Sequence, residues 1–319
     1  MKLILQLLMA FMCAVAAGGS AFAQDEALKP GEHTAQINGV KLWYKVSGTG
    51  PVCLMPSPPW GLSSDVYINT LQPMEKIFTM VYLDSRGCGR SAPAPSPTQY
   101  TWADLDADLD GLRAHLGQEK VWVMGHSEGA MAALHYACKH PERTNGAVLM
   151  SVGGIAGKEL GPDEDARLAE RAGDPRFAEA LKVTREAKEM PTTEPALSKF
   201  LHAQLSLYWY DPSKMAKYHF SGGSKTSPAA AMQGKEASHR GDLSDITADY
   251  KNLTAPVLIV VGANDWICPL DISTRLHMAL RNSKLLVIEQ CGHFTWMEQP
   301  EVFNARVPEF LAALGLDSK

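Results

Sequence analysis

Lys120-Val121-Trp122-Val123-Met124-Gly125-His126-Ser127-Glu128-Gly129-Ala130 is the stretch that decides the fold. Lys120 to Met124 is a short apolar run rich in β-branched and aromatic residues, which predicts a buried strand. Ala130 to Lys139 predicts a helix, so Gly125-x-Ser127-x-Gly129 sits on the corner between them. A side chain on such a corner takes a strained backbone conformation, and its neighbours must lack bulk. Gly125 and Gly129 meet that demand, and Ala130 keeps the first helical turn small. The new helix aims unpaired backbone N–H groups at whatever reacts beside Ser127. The rival reading of the same residues is an ordinary tight turn.

The pattern repeats outward in both directions. Val52 to Met55, Thr79 to Leu83, Ala147 to Met150, Pro256 to Val261 and Leu285 to Ile288 predict further buried strands. Tyr67 to Phe78 is helix-like. Leu105, Leu109, Leu112 and Leu116 place one apolar face on a helix from Thr101, and a last helix is expected from Glu301 to Leu314. Ala35 to Val46 alternates around Asn38-Gly39, a favoured hairpin turn. Short apolar strands alternating with helices predict an α/β fold, a mostly parallel sheet covered on both faces. The alternation lapses between Gly154 and Asp249, where the chain is polar and then aromatic at Tyr208-Trp209-Tyr210. This predicts a lid over residues 154–249 above the carboxyl edge of a core formed by 24–153 and 250–319. The aromatic triplet reads as lid core or as substrate wall.

Composition narrows the function classes. The chain has 319 residues, and its 45% hydrophobic content is that of a compact domain rather than a disordered one. With 30 Lys and Arg against 35 Asp and Glu the net charge is -5, which disfavours nucleic acid as a partner. Residues 1–23 read as an export signal: one lysine, an apolar stretch from Leu3 to Ala17, and the small-x-small pair Ala21 and Ala23. The expected location is periplasmic or secreted, with no stable membrane anchor after cleavage. Five cysteines then remain, an odd number that leaves at least one thiol free. No HExxH, paired CxxC or glycine-rich phosphate loop occurs, so neither metal nor organic cofactor is expected.

A serine hydroxyl is a weak nucleophile and needs a base held by a carboxylate. Of ten histidines, His293 is the one in a loop directly after a late strand. His126 abuts the serine and is assigned to packing. Asp265 follows the strand ending at Val261 and is the expected acid, with Asp271 as competitor and a turn or cap as its bland alternative.

The order Ser127, Asp265, His293 resembles that of the α/β-hydrolase superfamily along essentially the whole mature chain. Asp84-Ser85-Arg86-Gly87-Cys88-Gly89-Arg90-Ser91 resembles the D-x-R-G-x-G-x-S signature of the proline iminopeptidase branch. Gly292-His293 with Glu298-x-Pro300-Glu301 resembles that branch's histidine loop and last helix. The resemblance implies an inserted lid, a loop from Asp84 to Ser91 that braces the site, and a structural role for Arg86. Neighbouring loops would then bring Cys268 and Cys291 together, as a disulfide or as two separate buried thiols.

Two departures stand out. Pro56-Ser57-Pro58-Pro59-Trp60-Gly61 replaces the branch's His-Gly-Gly-Pro-Gly. Proline has no N–H, so Trp60 is the expected oxyanion-hole donor, partnered by the N–H of Glu128. Glu128 itself stands where those relatives tend to carry an aromatic residue. It reads as a helix-start glutamate stabilised by the dipole, or as a receptor for a cationic amine. The expected function is an exported serine hydrolase of short peptides or small molecules, aminopeptidase-like with proline favoured. A carboxylic ester or lactone hydrolase fits the aromatic lid and the altered loop equally. A receptor that keeps the triad but signals by lid movement is the third reading.

Overall fold

In the computed structural model, residues 26–59, 61–153, 164–187, 191, 193–218 and 242–316 are described. Eight strands form one sheet: β1 (Gly31–Ile37), β2 (Val40–Gly48), β3 (Val52–Pro56), β4 (Thr79–Asp84), β5 (Val121–His126), β6 (Thr144–Met150), β7 (Val257–Gly262) and β8 (Ser283–Ile288). Their spatial order is β1-β2-β4-β3-β5-β6-β7-β8. The pairs β1/β2 and β2/β4 are antiparallel, and every later pair is parallel. Asn38 (φ 49°) and Gly39 (φ 78°) both take positive φ in the β1–β2 turn, as the twist of a two-residue hairpin demands.

The central strands are buried on both faces, and their period of two sorts the core into layers. Val81, Val123, Leu149 and Ile259 pack on one side, against α1 (Trp102–His115) and α2 (Glu128–Lys139). Tyr82, Met124, Val148 and Leu258 pack on the other, with Tyr67, Trp296 and Phe303. Leu105, Leu109 and Leu112 are the buried stripe of α1, which starts at a Thr101–Asp104 capping box. The helix expected over Tyr67 to Phe78 is instead one turn, Asp65–Ile68, followed by a 3-10 segment, Gln72–Lys76. Pro73 explains the break, since it lacks the N–H that a continuous helix needs there.

Three helices lie in the described part of the stretch between β6 and β7: α3 (Glu164–Glu170), α4 (Ala178–Glu186) and α5 (Glu194–Gln204). After β7 comes α6 (Leu270–Ala279), and after β8 come a single helical turn, Thr295–Glu298, and α7 (Pro300–Ala312). Residues 1–23 and Trp60 lie outside the described residues, and no helix among the described ones is long and apolar enough to cross a membrane.

Candidate active site

Ser127 sits between the end of β5 and the start of α2 with φ 55° and ψ −127°, a region that L-residues avoid. Two glycines make the corner possible. A Cβ on Gly125 would lie 2.2 Å from the Gly129 carbonyl oxygen, and one on Gly129 would lie 2.9 Å from the Pro56 carbonyl oxygen. The spacing of Gly125-x-Ser127-x-Gly129 is therefore a steric requirement of the turn. The Ser127 N–H donates to the Met150 carbonyl at 3.0 Å, and its own carbonyl accepts from Ala130 and Met131. The N–H groups of Glu128 and Gly129, at the first helical positions, have no acceptor within the helix.

His293 follows β8, and Asp265 follows β7. Their side chains meet: His293 Nδ1 lies 2.8 Å from Asp265 Oδ2, and both residues are buried. A carboxylate only accepts, so Nδ1 carries the proton and Nε2 is left as a base. Asp265 Oδ1 accepts from the N–H groups of Ile267 (3.1 Å) and Cys268 (3.0 Å), which fixes the carboxylate. Asp271, the competing acid, points to solvent and pairs with Arg275. Among the described residues no hydrogen bond joins Ser127 to His293. They share a neighbour instead, the Cys268 thiol, which faces the Ser127 hydroxyl and whose pKa is held well above the ordinary thiol value, chiefly by burial. Nucleophile–base contacts are often loose without substrate and tighten on binding.

The sequence left His126 to packing, and the structure gives it more. Its Nε2 donates to the His293 carbonyl at 3.0 Å, and its Nδ1 accepts from the Tyr67 hydroxyl at 3.2 Å. Ser151, at φ 46° after β6, donates its hydroxyl to the same carbonyl at 2.9 Å. From the stretch between β6 and β7, the Tyr208 carbonyl accepts the His293 N–H at 2.7 Å, and the Tyr208 ring lies 5.4 Å from the imidazole. Trp209 is buried, so the aromatic triplet divides: Trp209 is core, and Tyr208 faces His293. Glu298 was legible only as part of a motif. Its carboxylate accepts from Gly292 (2.6 Å), Tyr210 (3.1 Å) and Asp211 (2.6 Å), tying the histidine loop to the Tyr208–Asp211 segment.

In the described part of the 56–61 loop beside Ser127, free backbone donors are few. Pro56, Pro58 and Pro59 have no N–H, and the Ser57 N–H is spent on the Leu83 carbonyl at 2.8 Å. The Gly61 N–H goes to the Cys88 sulfur. Trp60, the expected donor, is outside the described residues. Glu128 is part-buried directly after Ser127, and burial pushes its carboxyl up to about 7. Among the described residues no cation pairs with it.

The Asp84–Ser91 loop is a brace. Asp84 is fully buried, and accepts from the Ser64 N–H and hydroxyl and from Arg90. Arg86 forks onto Asp108 with two 2.7 Å bonds and donates to the Gln99 carbonyl at 2.8 Å. Removing one partner of such a buried pair costs about 3–5 kcal/mol, so Arg86 is structural. The disulfide between Cys268 and Cys291 is absent. All five described cysteines are free, because Cys268 turns toward Ser127 while Cys291 is buried in the layer with Trp296 and Phe303. One metal-competent cluster exists among the described residues: Asp265, Cys268 and His293 offer ligand atoms within 4.8 Å of one another.

A family profile described as the alpha/beta hydrolase fold matches residues 56–300. The chain is 25% identical over 288 residues to a proline iminopeptidase of Thermoplasma volcanium, covering 86% of this chain and 95% of that protein. It is 28% identical over 282 residues to a Pseudomonas putida protein named 2-hydroxy-6-oxononadienedioate/2-hydroxy-6-oxononatrienedioate hydrolase 2, covering 85% and 92%. An alpha/beta fold family hydrolase from Bacillus anthracis superposes with a TM-score of 0.70 at 18% identity, over 87% of this chain and 98% of that one.

Proposed function

The chain belongs to the alpha/beta-hydrolase family, and from that premise we propose that it is a serine hydrolase whose substrate carries a cationic amine beside the scissile carbonyl, as in a proline iminopeptidase-like aminopeptidase. His293 Nε2 takes the proton of Ser127 Oγ as that oxygen attacks the carbonyl. Asp265 steadies the imidazolium through Nδ1. The N–H groups of Glu128 and Trp60 receive the oxyanion, helped by the positive end of α2. His293 then protonates the leaving amine, and water activated by His293 releases the acyl group.

One observation carries the choice of substrate: the part-buried Glu128 carboxyl directly after Ser127, which pairs with no cation among the described residues. An ionised carboxylate there opposes the developing oxyanion unless a cation neutralises it, and an α-ammonium group on the carbon next to the carbonyl would do so. Several similar proteins are named proline iminopeptidases, which supports the same reading. A carboxylic ester or lactone hydrolase is the second reading. The aromatic rings of Tyr208 and Phe294 beside His293 favour it. The region 154–249 serves as the lid in both, and residues 1–23 would direct export.

The test is a parallel assay of a proline arylamide, the same arylamide N-acetylated, and a short-chain aryl ester. Ser127→Ala is the control and Glu128→Gln the diagnostic variant. The proposal expects a loss of about tenfold or more in kcat/KM on the free-amine substrate, and a gain or no change on the other two. Equal losses on all three would remove the amine-recognition role.

A further inference from the structure

The base of the site holds three donors of unlike chemistry: the Asp265 carboxylate, the Cys268 thiol and the His293 imidazole. All three are buried, and their ligand atoms lie within 4.8 Å of one another. Mixed N, S and O donors are the set that zinc selects. At bond lengths of about 2.0–2.3 Å, a tetrahedral zinc ion needs its ligand atoms roughly 3.4–3.6 Å apart. The ligand atoms now lie between 2.8 Å and 4.8 Å apart, so side-chain shifts of about an ångström would open the His293–Asp265 pair and draw in the thiol to that spacing. Cys268 also faces the Ser127 hydroxyl, and Ser127 keeps part of its surface open, so an ion entering by the substrate's route arrives at the thiol.

We propose that Asp265, Cys268 and His293 form a reversible inhibitory site for Zn²⁺, in which the metal occupies the catalytic base and stops turnover. The proposal rests on the hydrolase reading for its effect on rate but not for binding. One thiol proton leaves to solvent as the Zn–S bond forms, and neither zinc nor sulfur changes oxidation state. The metal takes the place of the proton between His293 Nδ1 and Asp265 Oδ2, and that proton moves to Nε2. A ring protonated at Nε2 cannot accept the Ser127 proton, and a water fills the remaining position. Zinc here is an inhibitor, not a cofactor.

Two measurements separate binding from catalysis. Co²⁺, a spectroscopic stand-in for Zn²⁺, is titrated into the full-length protein while thiolate-to-cobalt charge-transfer absorption is recorded. The proposal expects this absorption at one ion per chain, displaced by Zn²⁺, kept in Ser127→Ala and Cys291→Ala, and lost in Cys268→Ala. Absence of the absorption, or its survival in Cys268→Ala, overturns the site. If Cys268→Ala does not fold, mass-spectrometric mapping of iodoacetamide labelling replaces it, with Zn²⁺ expected to protect Cys268. Unchanged labelling overturns the proposal. Zn²⁺ should inhibit the wild-type hydrolase and a chelator should restore it. In His293-competent Cys268→Ala, normalised to its own uninhibited rate, the inhibitory concentration should rise at least about tenfold. Cobalt binding without zinc inhibition overturns the regulatory role alone. Failure to find any hydrolysed substrate leaves the absorption result standing.

Discussion

His126 and His293 lie ring against ring, with centroids 4.4 Å apart, and the His126 Nε2 donates to the main-chain carbonyl of His293 at 3.0 Å. The bond fixes the His126 tautomer, because a carbonyl accepts and never donates. It also fixes the histidine loop, since the same carbonyl takes the Ser151 hydroxyl. Burial, and then the facing His293 ring, hold the His126 pKa well below the ordinary imidazole range. The second imidazole is a neutral brace for the first.

Replacing that brace should loosen the histidine loop. His126→Phe is expected to destabilise the fold by about 1–3 kcal/mol, because the Tyr67 hydroxyl and the His293 carbonyl lose a buried partner. Chemical denaturation measures the first effect. A fall in kcat larger than the change in KM reports the mispositioned base.

The same histidine sets an acid limit. The fold favours its neutral form, so below the unfolded pKa of about 6.5 the unfolded chain binds more protons. Stability is therefore full above that pH and falls as pH drops beneath it, by up to about 1.4 kcal/mol per pH unit from this group. Denaturation midpoints between pH 4 and 8 should show this slope, and it should flatten in His126→Gln.

Ser127 holds a strained backbone conformation, with φ 55°. Ser127→Ala should lower turnover by about 10³-fold or more while keeping the strain. Ser127→Gly should be equally inactive but more stable than Ser127→Ala by about 1 kcal/mol, because glycine tolerates φ 55°. Equal stability of the two variants would contradict the strained corner.

The two candidate acids should separate cleanly. Asp265→Asn removes the acceptor of His293 Nδ1 and should reduce kcat by about 10³–10⁴-fold. Asp271→Asn breaks an exposed pair with Arg275 and should alter stability by less than about 0.5 kcal/mol, with kcat unchanged. Steady-state kinetics on both variants decides it.

Glu128 predicts an opposite pH trend. Its folded pKa, about 7, lies above the ordinary carboxyl value. Its contribution to stability is present at low pH and declines as pH rises through that value. Glu128→Gln should raise the melting temperature at pH 8 and leave it unchanged near pH 4. Differential scanning calorimetry at the two pH values tests the sign.

Much of this protein was written locally. Short unbroken apolar runs marked every central strand, because a strand buried on both faces has few other compositions. Asn38-Gly39 gave the hairpin, and Gly125-x-Ser127-x-Gly129 gave the elbow, because positive φ and backbone contacts near 2–3 Å admit little besides glycine beside the strained serine. His293 and Asp265 were found from their places after β8 and β7, since parallel strands deliver such loops to one edge. Tyr67 to Phe78 was misjudged because helical spacing was read past Pro73. Tertiary structure alone decided that Asp265 rather than Asp271 meets His293, that His126 and Ser151 share one carbonyl, and that Glu298 gathers three N–H groups from two segments. It also turned Cys268 toward Ser127 and away from a disulfide. Periodicity and turn stereochemistry act over a few residues, and a chain can display them anywhere. Which side chains share one point depends on how distant loops are brought together at the sheet's edge, and no local spacing encodes that.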